Sequence, residues 1–198
     1  MGLFDWLFRQ RAATVQEVAP AATVKPIYRI PTVKFDPKRV TEQVKADLAK
    51  NIRRIGEFDE SHFDEIYAAA LRAISRGGDL ATLFGAIMGL NLPNMTKQRA
   101  SEISRSLANK AMARMNRDRQ VLTGIKYATW VHSGAPCHVN PKKKPSAKDI
   151  RRDAAHRAAD GKRYEVAKGM LLNGRLTVPG REDGCKCVSR SIIPGLDS

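Results

Sequence analysis

The sequence predicts an α+β fold: a helical first half and a small β-hairpin-rich unit after it, preceded by an extended proline-containing arm. Three observations carry this. Apolar residues recur at helical spacing from Val40 to Met115, the period changes at "IKYATWVH", and Asn173-Gly174 sits between two apolar runs as a short-range hairpin signal. At 198 residues the chain has room for one ordinary domain carrying a helical extension.

Residues 1–11 place Leu3, Phe4, Trp6, Leu7 and Phe8 within two turns of a short helix. That is more apolar surface than such a helix buries against itself, so it reads as an anchor for its own domain, another subunit or a lipid surface. Residues 12–38 carry Pro20, Pro26, Pro31 and Pro37 at nearly even spacing, which excludes a continuous helix and predicts an extended arm.

The region 39–94 reads as helical. Val40, Val44, Leu48 and Ile52 recur every four residues and stop at Gly56. A second helix is expected after Ser61, whose spacing to Asp64 suits a capping box, and it should end at Gly77-Gly78. A third, over 79–90, is apolar almost all round and is expected at the centre of the helical layer, with "NLPN" breaking it.

In the last region, 95–198, a long helix is expected over 96–122, with Ile103, Leu107, Ala111 and Met115 inward and Gly124 as its stop. A strand follows at "IKYATWVH". After the loop "SGAPCHVNPKKKP", Ser146 and Asp149 have capping-box spacing for a helix closed by Gly161, and "CVSRSII" is the final strand.

The formal charge of +15 and pI near 10.1 point first to an anionic partner, with a basic face solvated by counterions as the other reading. Residues 97–126 hold eight Lys or Arg against two acids, and residues 140–163 hold nine against three. Lys142, Lys143, Lys144, Lys148, Arg151, Arg152, Arg114 and Arg117 are therefore the candidate contacts to nucleic acid. Such contacts go to phosphates and are nonspecific and salt-sensitive, and with aromatics at 6% base stacking is not expected. No stretch approaches the roughly 18 apolar residues of a membrane span. Asp5 interrupts the apolar opening and positive charges follow it, so it does not read as a signal peptide, and the expected site of synthesis is the cytoplasm.

Cys137, His156, Cys185 and Cys187 form a candidate soft-metal set, with His132 and His138 as substitutes. A Cys-His mixture suits tetrahedral zinc, which would staple a unit with little core. On a flat strand the Cβ atoms of Cys185 and Cys187 lie roughly 6 to 7 Å apart. They chelate together only where Gly184 bends the chain. A disulfide from Cys137 to either tail cysteine and plain reduced thiols are the other two readings. No P-loop, dinucleotide glycine fingerprint, HExxH or GxSxG occurs, so a non-enzymatic protein is expected; the enzymatic alternative is a nuclease or toxin built on His156 and the cysteines.

The order of these features resembles a known family. "ARMNRDRQVLTGIKYATWVHSG", then "RRDAAHRAADGKRYEV", then "VPGREDGCKC" and "SRSIIPG" are similar to the phage head-morphogenesis domain, the minor capsid proteins akin to the F protein of phage Mu. The resemblance covers about residues 95–195. The acidic run that many members carry after the Trp is replaced here by a proline- and lysine-rich loop, so its role is not carried over. What the resemblance implies is a virion protein, present in few copies, and more than one copy in a symmetric assembly is expected. It would be made in the host cytoplasm and reside at the portal vertex or head interior, bound to portal or major capsid protein and touching packaged double-stranded DNA. A stand-alone basic nucleic-acid-binding protein, zinc-stabilised, is the alternative.

Overall fold

Helix α1 (Glu42–Arg53) starts where Thr41 accepts a hydrogen bond from the Val44 N–H at 3.3 Å, and it buries the stripe Val44, Leu48 and Ile52. The structure is a computed structural model and describes residues 35–140 and 144–195, which belong to one compact unit. Leu3, Phe4, Trp6, Leu7 and Phe8, and residues 12–34 of the predicted arm, lie outside the described residues. The end of that arm is not extended: Pro37–Arg39 wind into a 3₁₀ turn, and Phe35 packs on the helical core.

Helix α2 (Phe63–Ser75) follows a 3₁₀ turn at Glu60–His62. The expected Ser61–Asp64 box does not form. Asp59 caps the turn instead, accepting from the Ser61 N–H at 2.9 Å and from its hydroxyl at 2.5 Å, because the helix is entered through the tighter turn. Gly77-Gly78 close it, with the Gly78 N–H returning to the Ala73 carbonyl.

Helix α3 (Leu80–Gly89) is not the central one. Its sequence is apolar on most sides, yet only Leu83 and Ile87 are buried, while α2 buries Ile66, Ala69, Ala70, Ala73 and Ile74 and touches α1, α3 and α4. The small alanines let neighbours approach α2 from several sides, and a centre needs that more than it needs bulk.

Helix α4 (Lys97–Leu122) is capped by Thr96 and buries Ile103, Leu107, Ala111 and Met115 as predicted. Its N-terminal turns complete the helical core and its last turns reach the sheet. Near the C-terminus Gln120 donates to the hydroxyls of Ser189 and Ser191 at 3.0 and 2.9 Å, joining the two halves through a buried amide.

The strands are short. In one antiparallel sheet β1 (Tyr127–Val131) lies between β2 (Arg163–Glu165) and β5 (Val188–Ser191), with Ala128 opposite Tyr164 on one side and Ser191 on the other. Between β1 and β2 runs α5 (Ala147–Ala158), opened by the predicted Ser146/Asp149 capping box. The hairpin β3 (Met170–Leu172) and β4 (Arg175–Thr177) turns at Asn173 and Gly174, both at positive φ (49° and 74°), as a two-residue type I′ turn requires. The β unit has its own small core around Trp130, Tyr164 and Val166, and Cys137, Cys185 and Cys187 are members of it.

Candidate metal centre

Three elements bring the four ligand candidates together. Cys137 lies in the loop after β1, His156 on α5, and Cys185 and Cys187 just ahead of β5. The β1–β5 pairing fixes the distance between loop and tail. The position of Cys137 is set by α5: its N–H donates to Asp153 Oδ1 at 2.7 Å, and its carbonyl accepts from Arg152 Nε and Nη2 at 2.9 and 2.6 Å.

The bend at Gly184 is present. Gly184 has φ +72°, and a Cβ there would run into the His138 carbonyl, so both conformation and space demand glycine. The turn keeps Cys185 and Cys187 off the flat strand and aims both sulfurs inward.

The Cys137 and Cys187 sulfurs are 3.7 Å apart, Cys187 Sγ lies 3.8 Å from His156 Nδ1, and all four ligand atoms of the set lie within 4.8 Å of one another. A tetrahedron with metal–sulfur bonds of about 2.3 Å has edges of about 3.8 Å. A disulfide needs sulfurs about 2.05 Å apart, so all three cysteines are free thiols. The buried cluster Cys137, His156, Cys185 and Cys187 has the donors and the spacing to hold a metal ion.

Electrostatics within the cluster are polarised. Hydrogen bonds from the Cys185 and Cys187 thiols, and then from His156, pull the Cys137 thiol far below its usual range against the opposing effect of burial. Contact with Cys137 and Cys185, reinforced by burial, pushes the Cys187 thiol up. Burial acts to lower His156, but Cys137, Cys185 and Glu182 overcome it and raise the imidazole to about 11.

A carboxylate and an aromatic ring flank the far side of His156. Nε2 is buried without a hydrogen bond and lies 3.6 Å from Glu182 Oε2, while the Trp130 ring packs on the imidazole with centroids 5.1 Å apart. Nδ1, which faces the sulfurs, is the nitrogen that would ligate a metal, and Nε2 lies on the side of the Glu182 carboxylate, where the outer partner of a metal-bound histidine commonly sits.

Neither substitute histidine is in the four-residue set, but His132 forms with Cys137 and Asp153 a second group whose ligand atoms lie within 4.8 Å of one another. His132 accepts the Gly134 N–H on Nδ1, so its proton is on Nε2, which faces Asp153 Oδ1 at 3.5 Å and Cys137 Sγ at 3.9 Å. It is a donor toward the cluster's edge. His138 presents its backbone carbonyl to Gly184 and is outside the four-residue group.

The candidate nucleic-acid contacts divide. Lys144, Lys148 and Arg151 are exposed, and Lys142 and Lys143 lie outside the described residues. Three are engaged inside the fold, where a freely exposed cation is expected. Arg152 is buried at 6% exposure and spends its guanidinium on the Cys137 carbonyl and on Asp149. Arg114 bridges Asp47 at 3.0 Å and Asp118 at 2.9 Å, and Arg117 donates to the carbonyls of Val166 and Ala167. Arg114 ties α4 to α1, Arg117 ties α4 to the β unit, and Arg152 ties α5 to the Cys137 loop, so the charge of all three is used inside the fold. Sequence reasoning passed over Asp153, Glu182 and this role of Arg152. The signal was present for α5, since Arg152 and Asp153 lie four and three positions before His156 on the helix.

No helix among the described residues is long and apolar enough to cross a membrane. No protein family's sequence profile matches the chain, and no solved structure matches it. It is similar to an uncharacterized protein of Haemophilus influenzae, at 28% identity over 159 residues. The aligned stretch takes in 80% of this chain and spans 31% of that longer relative.

Proposed function

We propose that the chain is a zinc-stapled minor head protein of a tailed phage, seated on portal or major capsid protein and contacting packaged double-stranded DNA without sequence preference. The observation that carries this reading is the convergence of Cys137, His156 and the Cys-x-Cys tail on one buried point, because His156, Cys185 and Cys187 belong to the stretches that resemble the head-morphogenesis domain and Cys137 lies in the loop between two of them. Zinc suits the mixed thiolate and imidazole set and its tetrahedral spacing. Four protein donors complete a tetrahedron and leave no open position for water or substrate, which favours a structural role over a catalytic one. The net charge of +15 suits an environment dense in phosphate.

The test is quantitative mass spectrometry of purified phage particles, before and after removal of their DNA. The chain is expected in a few copies to a few tens of copies per particle. Infectious particles that lack it altogether overturn the reading. Elemental analysis of the full chain purified without chelators should give one zinc per chain, and a stoichiometry near zero removes the staple from the proposal.

A further inference from the structure

A cleft of about 390 Å³ opens between the helical half and the β unit. Helices α1 and α4 form one wall. The other is built from the first turn of α5, strand β4 and the Arg181–Asp183 segment that leads into Gly184. Nine Lys or Arg side chains line it against three carboxylates.

Those carboxylates are already engaged. Asp47 pairs with Arg114, Asp183 with Lys110, and Glu182 faces His156. Lys50, Arg54, Lys148, Arg175 and Arg181 make no ion pair among the described residues, and all five are exposed. Like charges in excess around one concavity repel one another and focus a positive potential into it, and a polyanion relieves that repulsion. No aromatic side chain lines the cleft, so it offers nothing for bases to stack on. Its chemistry suits phosphates alone.

We propose that this cleft is the seat of a double-stranded DNA backbone, gripped between Lys50 and Arg54 of α1 and Arg175 and Arg181 of the β unit. The proposal rests on the DNA-contacting part of the proposed function and locates it in the fold. Of these four residues none lies in the two basic stretches that dominate the sequence, and only the fold assembles them. Because the Arg181–Asp183 wall runs directly into Cys185, the metal centre also sets the shape of the groove.

The test is binding of the metal-loaded full chain to a random-sequence duplex, followed by fluorescence anisotropy between 50 and 200 mM salt. Lys50→Gln combined with Arg175→Gln removes one cation from each wall at exposed positions. Arg72→Gln combined with Lys97→Gln removes two cations that do not line the cleft. The cleft pair should lower the log–log salt slope by about 2, with metal content and melting temperature unchanged, and the control pair should leave the slope unmoved. Equal losses from both pairs overturn the cleft while sparing DNA contact. Absence of binding by the unsubstituted chain at 50 mM salt overturns DNA contact itself, and the cleft with it. Tighter binding of a single strand of equal length overturns the assignment to duplex.

Discussion

Arg152→Met separates a packing role from a phosphate-binding role at the residue where sequence and structure disagree most. The substitution keeps the aliphatic stem in its buried slot and removes only the guanidinium. Lost with it are the bonds of 2.9 and 2.6 Å to the Cys137 carbonyl and the ion pair with Asp149. A hydrogen bond from a charged donor is worth about 1.5 to 3 kcal/mol, and the two here converge on a single acceptor, so they do not add in full. Asp149 keeps its bonds from Ser146, which limits the penalty on the carboxylate side. The expected loss is about 3 kcal/mol, which for a domain of this size lowers the melting temperature by about 6 to 12 °C. Urea unfolding followed by far-UV circular dichroism should show a lower midpoint with an unchanged slope. A loss below about 1 kcal/mol, combined with weaker DNA binding, would refute the reasoning and return Arg152 to the phosphate-facing surface.

Other perturbations reach different parts of the same design. Chelation at neutral pH should release the metal and lower the melting temperature, and Cys187→Ser should do so without chelator; an apo chain as stable as the holo chain contradicts a staple. Gly184→Ala meets both a positive φ and the His138 carbonyl, so it should cost more than the ~1 kcal/mol of a strained backbone alone and should weaken metal affinity. Equal affinity would show that the turn relaxes freely. Arg99 Nε donates to Glu57 at 2.5 Å and holds that carboxyl below its ordinary range. The stabilisation is therefore present above the unfolded value of about 4.3 and is lost as pH falls through the lower folded one. Glu57→Gln should flatten the stability profile in that acid window, and a profile that overlays the parent's removes the pair from the account of acid stability.

The helical stripes were legible because burial follows period: Val44, Leu48 and Ile52, and then Ile103 to Met115, are inward where the spacing puts them. So were the hairpin and the α5 cap, whose chemistry is local. What failed was whatever depended on neighbours distant in sequence. Hydrophobicity alone placed α3 at the centre, whereas the alanines of α2 made that helix the one others could approach. Counting charges along the chain could not distinguish Arg114, Arg117 and Arg152, which meet carboxylates or carbonyls across the fold, from Lys148 and Arg151, which do not. The ligand set was nameable from residue type, but its convergence was not, because Cys137 and Cys187 are joined by strand pairing across 50 residues.

That last separation has a consequence for biosynthesis. Residues 42–115 can close their helical core as soon as they leave the ribosome, since every partner in it has by then been made. Strand β1 has no such luck. It gains β2 early but must wait for β5, and until then Trp130, Cys137 and His156 are an open apolar edge carrying two unpartnered metal donors. A nascent chain paused between residues 160 and 185 thus exposes the surface most prone to mispairing. The speed with which β5 arrives, carrying Cys185 and Cys187 ahead of it, decides how long that edge stays open.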